Sequence, residues 1–293
     1  MILYSYAKLN LYLEILDKRS DNYHNIETVF ERINLSDKIL LKSRPDKKIK
    51  IICNNPQVPK DSSNLCFRSA KLLQDEFNLS YGADIEIRKN IPVGAGLGGG
   101  SSNAATVLLG LNKIWKLGLS RRKLLCYAQK IGADVAFFIY DTPFAVAKGR
   151  GDEIKPLASQ RVKRIWQILI APRFPVATPL VYKEWDRLKK NKKARLTKPV
   201  YNVKMLTLAL KRGDTLLLKK CLFNSLEQAT LKLFPQLKRV KEKLEKLGLE
   251  AILMSGSGPA VFGIVSSRKE AEAFSRSIQR QNRSWRVFAV RTM

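Results

Sequence analysis

Apolar and polar positions split the chain into short-period and helical-period stretches. The opening ILYSYAKLNLYLEI is rich in β-branched, leucine and aromatic residues and predicts a strand at about 3–16. Further strands are predicted at 27–34, 38–43 and 48–53, so the first half is β-rich. SSNLCFRSAKLLQDEFN opens on capping residues and continues with helical apolar spacing, while GADIEIRKNIP is a strand stopped by Pro92. A glycine loop follows. From Ser102 the apolar Ala105, Leu108, Leu109, Leu111 and Trp115 recur at helical spacing. A second helix at about 120–130 leads into GADVAFFI, and a strand pair near 143–155 is broken by KGRGDE. RIWQILIAPRFP starts a fresh strand, and helices fill 178–247. The chain then alternates strand (250–254), glycine turn (255–258), strand (260–265), helix (268–281) and strand (285–291). The pattern places a domain boundary near 155–163, between an N-terminal domain, 1–158, and a C-terminal domain, 159–293.

Composition narrows the class. A chain of 293 residues with 45% hydrophobic content can bury one large core or two ordinary ones. The N-terminus lacks the features of a signal peptide, and no run of about 18 uncharged apolar residues occurs, so the expectation is a cytoplasmic enzyme or binding protein without a membrane partner. Cys53, Cys66, Cys126 and Cys221 are scattered without a CxxC pair beside a single histidine, which argues against a zinc site and a disulfide framework. Reduced, mostly buried thiols are expected. Lys plus Arg number 54 against 25 Asp plus Glu, a net charge of +29. The densest cluster, KEWDRLKKNKKARLTK at 183–198, reads as a solvated helix end and loop, so solvated surface is preferred over a nucleic-acid partner. Such a field also attracts small anions such as nucleotides.

The glycine loop, VGAGLGGGSS at 93–102, is where candidate chemistry begins. Gly94, Gly96 and Gly99 satisfy GxGxxG, but the acidic residue that a dinucleotide fingerprint needs about 20 positions on is missing, since the chain has no acid between Glu86 and Asp134. A P-loop fails as well, because no Lys followed by Ser or Thr closes the glycines. What remains is a cradle of backbone amides running into a helix N-terminus, a site suited to phosphate.

The loop PVGAGLGGGSSNAA, together with AKLNLYLEI at 7–15 and LMSGSGPAVFGI at 253–264, resembles the three ordered motifs of the GHMP kinases, and the likeness runs the length of the chain. DNYHNIETVFERINLSDKI at 21–39, with SSNL, GADVAFF, TPLVY and NSLEQA, is similar to the branch of that family that acts on a cytidine diphosphate ester of methylerythritol. That branch usually has Gly where this chain has Asn22, and Asn tolerates positive φ, so the turn is expected to persist.

The resemblance implies an α+β, two-domain GHMP kinase fold. It joins a ribosomal-protein-S5-domain-2-like N-terminal domain to a ferredoxin-like α/β C-terminal domain, with the active site in the cleft between them. It implies transfer of the γ-phosphoryl group of ATP to the 2-hydroxyl of the methylerythritol moiety, in the non-mevalonate isoprenoid precursor pathway. Asp134 would be the base and Lys8 its cationic neighbour, which suits a carboxylate beside VAFF and an amine within an apolar strand. The ATP cradle would be Pro92, Val93, Gly94, Ala95, Gly96, Leu97, Gly98, Gly99, Gly100, Ser101 and Ser102, with Asn64 and Leu65 bordering adenine. Tyr23 and Tyr182 would offer stacking faces to the cytosine, and His24 would read its edge through backbone-like hydrogen bonds. Asn10 and Thr178 would contact the substrate near the transferred end and the diphosphate, and SGSGPA would lie against the cradle. Magnesium would ride on the phosphates without a protein cage. The protein would be a monomer or weak homodimer. A mevalonate- or homoserine-type kinase is the alternative, opposed by DNYHNIETVF and TPLVY. A nucleic-acid-binding protein of related fold is the remote one, since Lys8 and Asp134 would have no reason to be there.

Overall fold

The computed structural model describes residues 1–157, 164–191 and 196–293. Strands β1 (Ile2–Lys18) and β2 (His24–Arg44) form a long antiparallel hairpin, turning through Asn22 at φ +64°, so the turn persists without the glycine. There follow β3 (Ile49–Cys53), α1 (Leu65–Glu76), β4 (Gly82–Arg88), α2 (Gly99–Ile114), α3 (Arg121–Ile131), α4 (Val135–Ile139), β5 (Phe144–Lys148) and β6 (Glu153–Pro156). The second half runs β7 (Trp166–Pro172), α5 (Thr178–Lys190), α6 (Val203–Arg212), α7 (Thr215–Cys221), β8 (Phe223–Asn224), α8 (Glu227–Leu233), α9 (Gln236–Lys246), β9 (Ile252–Met254), β10 (Val261–Val265), α10 (Arg268–Gln281) and β11 (Trp285–Arg291).

The first sheet has the order β3-β4-β2-β1-β8, with β5 also on β2 and β6 on β5. The second is antiparallel, in the order β11-β7-β10-β9, the arrangement of a ferredoxin-like βαββαβ unit. Ala104, Ala105, Leu108 and Leu111 of α2 pack with Ile39, Leu41, Ile85 and Ile87 on one face of the first sheet. On its other face Leu9, Leu11, Val29 and Ile33 pack with Leu169, Phe262 and Ile264 of the second sheet. The middle of β1 is therefore buried on both faces, which explains its near-continuous apolar run. Ala7, Leu9 and Leu11 belong to the inter-sheet core, and period-two alternation puts Lys8 and Asn10 on the opposite face. Register shifts between Tyr6 and Lys8, and between Asn10 and Tyr12, bracket these two residues; such bulges re-aim side chains beside sites.

A buried polar seam joins the layers. Gln167 Nε2 of β7 donates to Glu31 Oε2 (2.6 Å), and Thr292 Oγ1 donates to Glu31 Oε1 (2.6 Å). Burial raises the Glu31 carboxyl to about 7, against the pull of these two hydrogen bonds.

Several expectations change. The strands expected at 27–34 and 38–43 are one strand, β2, because β1 pairs along both and masks the polar interruption at Asn34, Ser36 and Asp37. The helix expected from Ser102 begins at Gly99. Residues 178–247 hold the short strand β8, which adds in parallel to β1 of the first sheet, besides their helices. Cys66 and Cys221 are buried, but Cys53 is half-buried and Cys126 exposed on α3. The expected division between 158 and 159 lies outside the described residues, as do 192–195 of the basic cluster. No helix among the described residues is long and apolar enough to cross a membrane.

Candidate active site

A cavity of about 910 Å³ opens between the glycine loop, the β1–β2 hairpin and the N-terminal part of α5. Residues 93–98 reach α2 through Gly98, which caps the helix in the left-handed conformation at φ +65°, where a side chain is disfavoured. A Cβ there would also stand 2.9 Å from Lys8 Cγ. By helix geometry the amides of Gly99, Gly100 and Ser101 have no intrahelical acceptor, while Ser102 N–H donates to Gly98 O (2.8 Å). Free amides and the helix dipole make this end an anion site.

Two other segments hold the loop. Lys8 N–H of β1 donates to Leu97 O (3.0 Å), and Ala260 N–H donates to Ala95 O (3.2 Å). Ser255 Oγ donates to Gly96 O (3.1 Å) while accepting from Asn10 N–H (3.3 Å). Gly96 is required here, since a Cβ would stand 2.1 Å from Ser255 O. The SGSGPA turn does lie against the cradle.

Lys8 and Asp134 meet under this loop. Lys8 Nζ is 3.5 Å from Asp134 Oδ2, donates to Asn10 Oδ1 (2.5 Å) and lies 5.1 Å from the centre of the Phe30 ring. Lys8 is 4% exposed, and a buried ammonium is tolerated only with such partners. Asp134, at the start of α4, remains a third exposed. Asn10 is fixed in turn, its Nδ2 donating to Thr28 Oγ1 (2.9 Å).

At the other end Tyr182, Trp185 and Asp186 share a face of α5, being three and four residues apart. The His24 ring stacks on Tyr182 at 5.0 Å, meets Trp185 edge-on at 5.6 Å, and donates from Nε2 to Asp186 Oδ1 (2.8 Å). Lys18 Nζ donates to Asp186 Oδ2 (2.6 Å). Burial raises the Asp186 carboxyl, and the bonds from Lys18 and His24 outweigh it, leaving it below its ordinary range. Burial first, and the Asp134 charge second, push the Tyr182 phenol up. The Arg150 guanidinium covers one face of Tyr23 at 5.4 Å.

The cavity brings together Lys8, Asn10, Tyr23, His24, Asn64, Leu65, Asp134, Thr178, Tyr182 and the loop from Pro92 to Ser101. Ser102 does not line it: its Oγ accepts from Ser5 Oγ (2.8 Å) beneath the helix. Asn64 has its side chain occupied, Oδ1 accepting from Cys66 N–H (2.8 Å) to cap α1 and Nδ2 donating to Pro59 O (2.6 Å). Thr178 Oγ1 shares a hydrogen bond with Ser257 Oγ (2.7 Å). Among the described residues no three His, Cys, Asp or Glu converge as a metal cage. The Asp134 carboxylate and Ser101 hydroxyl that line the cavity suit magnesium held mainly by phosphate oxygens and water.

The sequence reading missed Lys89 and Asp186. Lys89, just after β4, has a buried side chain that pairs with Asp37 and comes within 3.1 Å of where a Gly99 Cβ would stand, adding a cation beside the loop. Asp186 had a signal: it lies four residues after Tyr182 on a predicted helix.

The chain matches the GHMP kinases N-terminal domain over residues 64–142 and the GHMP kinases C-terminal domain over 206–284. It is 42% identical over 261 residues to 4-diphosphocytidyl-2-C-methyl-D-erythritol kinase of Geobacillus sp. (strain WCH70), covering 88% of this chain and 86% of that one. The protein of the same name from Bacillus cytotoxicus (strain DSM 22905 / CIP 110041 / 391-98 / NVH 391-98) is 40% identical over 259 residues, with the same coverage. A crystal structure of 4-(cytidine 5'-diphospho)-2C-methyl-D-erythritol kinase is 31% identical, superposes with a TM-score of 0.81 and covers all of both chains. Homoserine kinase from Cytophaga hutchinsonii, 20% identical with a TM-score of 0.73 over all of this chain and 95% of that one, shares the fold.

Proposed function

From the premise that this chain belongs to the GHMP kinase family, we propose that it is the kinase that moves the γ-phosphoryl group of ATP to the 2-hydroxyl of 4-(cytidine 5'-diphospho)-2-C-methyl-D-erythritol. The observation that carries this reading is the Lys8–Asp134 pair, 3.5 Å apart, between an anion-binding glycine loop and an aromatic pocket in one cavity.

In this reading ATP lays its phosphates along residues 93–101 with adenine toward Asn64 and Leu65, and the cytosine enters among Tyr23, His24 and Tyr182. The acceptor hydroxyl then lies beside Asp134, which takes its proton as the new O–P bond forms and the bond to ADP breaks. Lys8 orients Asp134 and offsets the charge spreading over the phosphoryl oxygens. Magnesium bound to the phosphates would neutralise part of their charge. Asn10, held by Thr28, keeps the Lys8 amine in place. The division at 158 belongs to the same reading, with the cradle and catalytic pair in the N-terminal part and α5 in the C-terminal part.

The test is ADP release measured with and without the cytidine diphosphate methylerythritol ester, against mevalonate and homoserine. Release dependent on the cytidine ester alone is expected. Release driven by mevalonate or homoserine would replace it with the sister activity.

A further inference from the structure

A second cavity, of about 490 Å³, opens beside β3, the strand at the end of the first sheet. Its lining holds Arg44, Lys47, Lys48, Lys50, Lys60 and Lys71 and no carboxylate. Arg44 is occupied, donating to Asp46 (2.7 Å) and Asp84 (2.8 Å), and Lys71 pairs with Asp75 at 2.6 Å. Lys47, Lys48, Lys50 and Lys60 form no ion pair among the described residues. The backbone that carries the first two is pinned. Gln74 Nε2 of α1 donates to Lys47 O (2.9 Å), and Ala83 N–H of β4 donates to Lys48 O (3.1 Å). The chains approach so closely there that a Cβ on Gly82 would stand 2.0 Å from Lys48 O. Ile49, Ile51 and Phe67 add apolar wall.

Lysines guard the edges of many sheets, but that role needs only exposed charge along the strand. Here the charge converges from three elements: Lys47, Lys48 and Lys50 from β3 and the turn before it, Lys60 from the segment between β3 and α1, and Lys71 from α1. Like charges gathered about a concavity repel one another, and an anion within it relieves the repulsion. We propose that this cavity is a second anion site, which takes a small polyphosphate, either free or as the triphosphate tail of a nucleotide. A single phosphate cannot reach lysines on all three elements, whereas a chain of two or three phosphates presents oxygens to each of them. The site shares no lining residue with the larger cavity, although the segment 54–64 borders both: Gln57, Val58 and Pro59 face the larger one and Lys60 the smaller. A polyphosphate therefore binds here without entering the glycine cradle.

Isoleucine methyl resonances tell the two cavities apart, because Ile49 and Ile51 line the smaller and Ile26 and Ile87 the larger. The test is titration of inorganic tripolyphosphate into the methyl-labelled full chain. Saturable shifts at Ile49 and Ile51, with a midpoint of their own, are expected in the wild type. In Lys48→Glu/Lys50→Glu that binding should weaken by at least about tenfold, the scale of one lost charge-assisted hydrogen bond, while the response of Ile26 and Ile87 stays within about threefold. Lys48→Arg/Lys50→Arg, which keeps both charges, should bind within about threefold of the wild type. Lys60→Met, outside every strand and helix, gives a second test if the double reversal does not fold, with an expected loss of about threefold or more. GTP titrated in the same way identifies the source: tighter binding than tripolyphosphate marks a nucleotide tail, and weaker binding a free polyphosphate. No saturable shift of Ile49 and Ile51 by about 1 mM tripolyphosphate, or equal affinity in the wild type and the reversed-charge variants, overturns the proposal. A dT oligonucleotide that shifts them at lower concentration than tripolyphosphate overturns it in favour of a nucleic-acid surface.

Discussion

At the end of the cavity lined by residues 93–101 the groups offered to a ligand are backbone amides, whereas at the end lined by Tyr23, His24 and Tyr182 they are side chains. The amide end is one contiguous segment, clamped by β1 and the 255–258 turn. The aromatic end is assembled from the β1–β2 hairpin and α5, more than 150 residues apart, as the His24–Asp186 pair illustrates. A triphosphate needs little beyond N–H groups and positive charge, so a short glycine-rich stretch is sufficient for it. A base needs faces and fixed donors and acceptors, which only converging side chains supply. A cradle of this kind can therefore serve many kinases, while the pocket opposite decides which alcohol is used.

The largest expected effect lies where the two ends meet. Asp134→Asn should lower kcat by on the order of a thousandfold while ATP affinity, by calorimetry, stays within about threefold, because a proton acceptor is lost without a change of shape. Lys8→Met should likewise act on kcat more than on either KM; an effect confined to ATP binding would move Lys8 to the amide end of the comparison.

The seam that holds the two sheets together comes next. Glu31 has a folded pKa of about 7 against an ordinary 4.5, so the folded state binds a proton that the unfolded state releases between those values. Its contribution is fully present below about 4.5 and is lost as pH rises through about 7, a change of up to about 3 kcal/mol. Denaturant unfolding of wild type and Glu31→Gln from pH 4.5 to 8 should show wild type losing stability relative to the variant as pH rises. Parallel curves would mean that Glu31 is charged throughout.

Gly98 and Gly100 separate fold from ligand at the amide end. Gly98→Val meets Lys8 and forces valine to positive φ, so it should destabilise the protein whatever it does to ATP. At Gly100 the nearest neighbour of a Cβ is Leu65 Cδ1 at 4.0 Å, so Gly100→Val should cost roughly tenfold or more in ATP affinity with stability held within about 0.5 kcal/mol. Equal ATP affinity would place the phosphates elsewhere. At the aromatic end the effect is of similar size on the other ligand: Tyr182→Ala should weaken CDP by about 1 to 3 kcal/mol and leave ATP unaffected, as isothermal titration would report.

Local chemistry made much of this legible from the residues alone. The alternation of strands and helices and the Asn22 turn depend on backbone sterics within a few residues, and they appear close to where the sequence predicts them, although the strand expected to run to Pro92 ends at Arg88. Lys8 and Asp134 were legible because a charge in an apolar run demands a partner, and the motifs supplied which one. The tertiary structure decided what sequence neighbours cannot. It fused two predicted strands into β2 because β1 pairs beside both, and it turned Ser102 to Ser5 beneath the helix while Ser101 stayed in the cavity. It also set Lys89 beside the loop and Asp186 on His24, contacts spanning 52 residues to Asp37 and 162 residues to His24. Period and capping act within one turn or one strand pair, whereas the hydrogen-bond partner of a side chain depends on which distant element is packed against it.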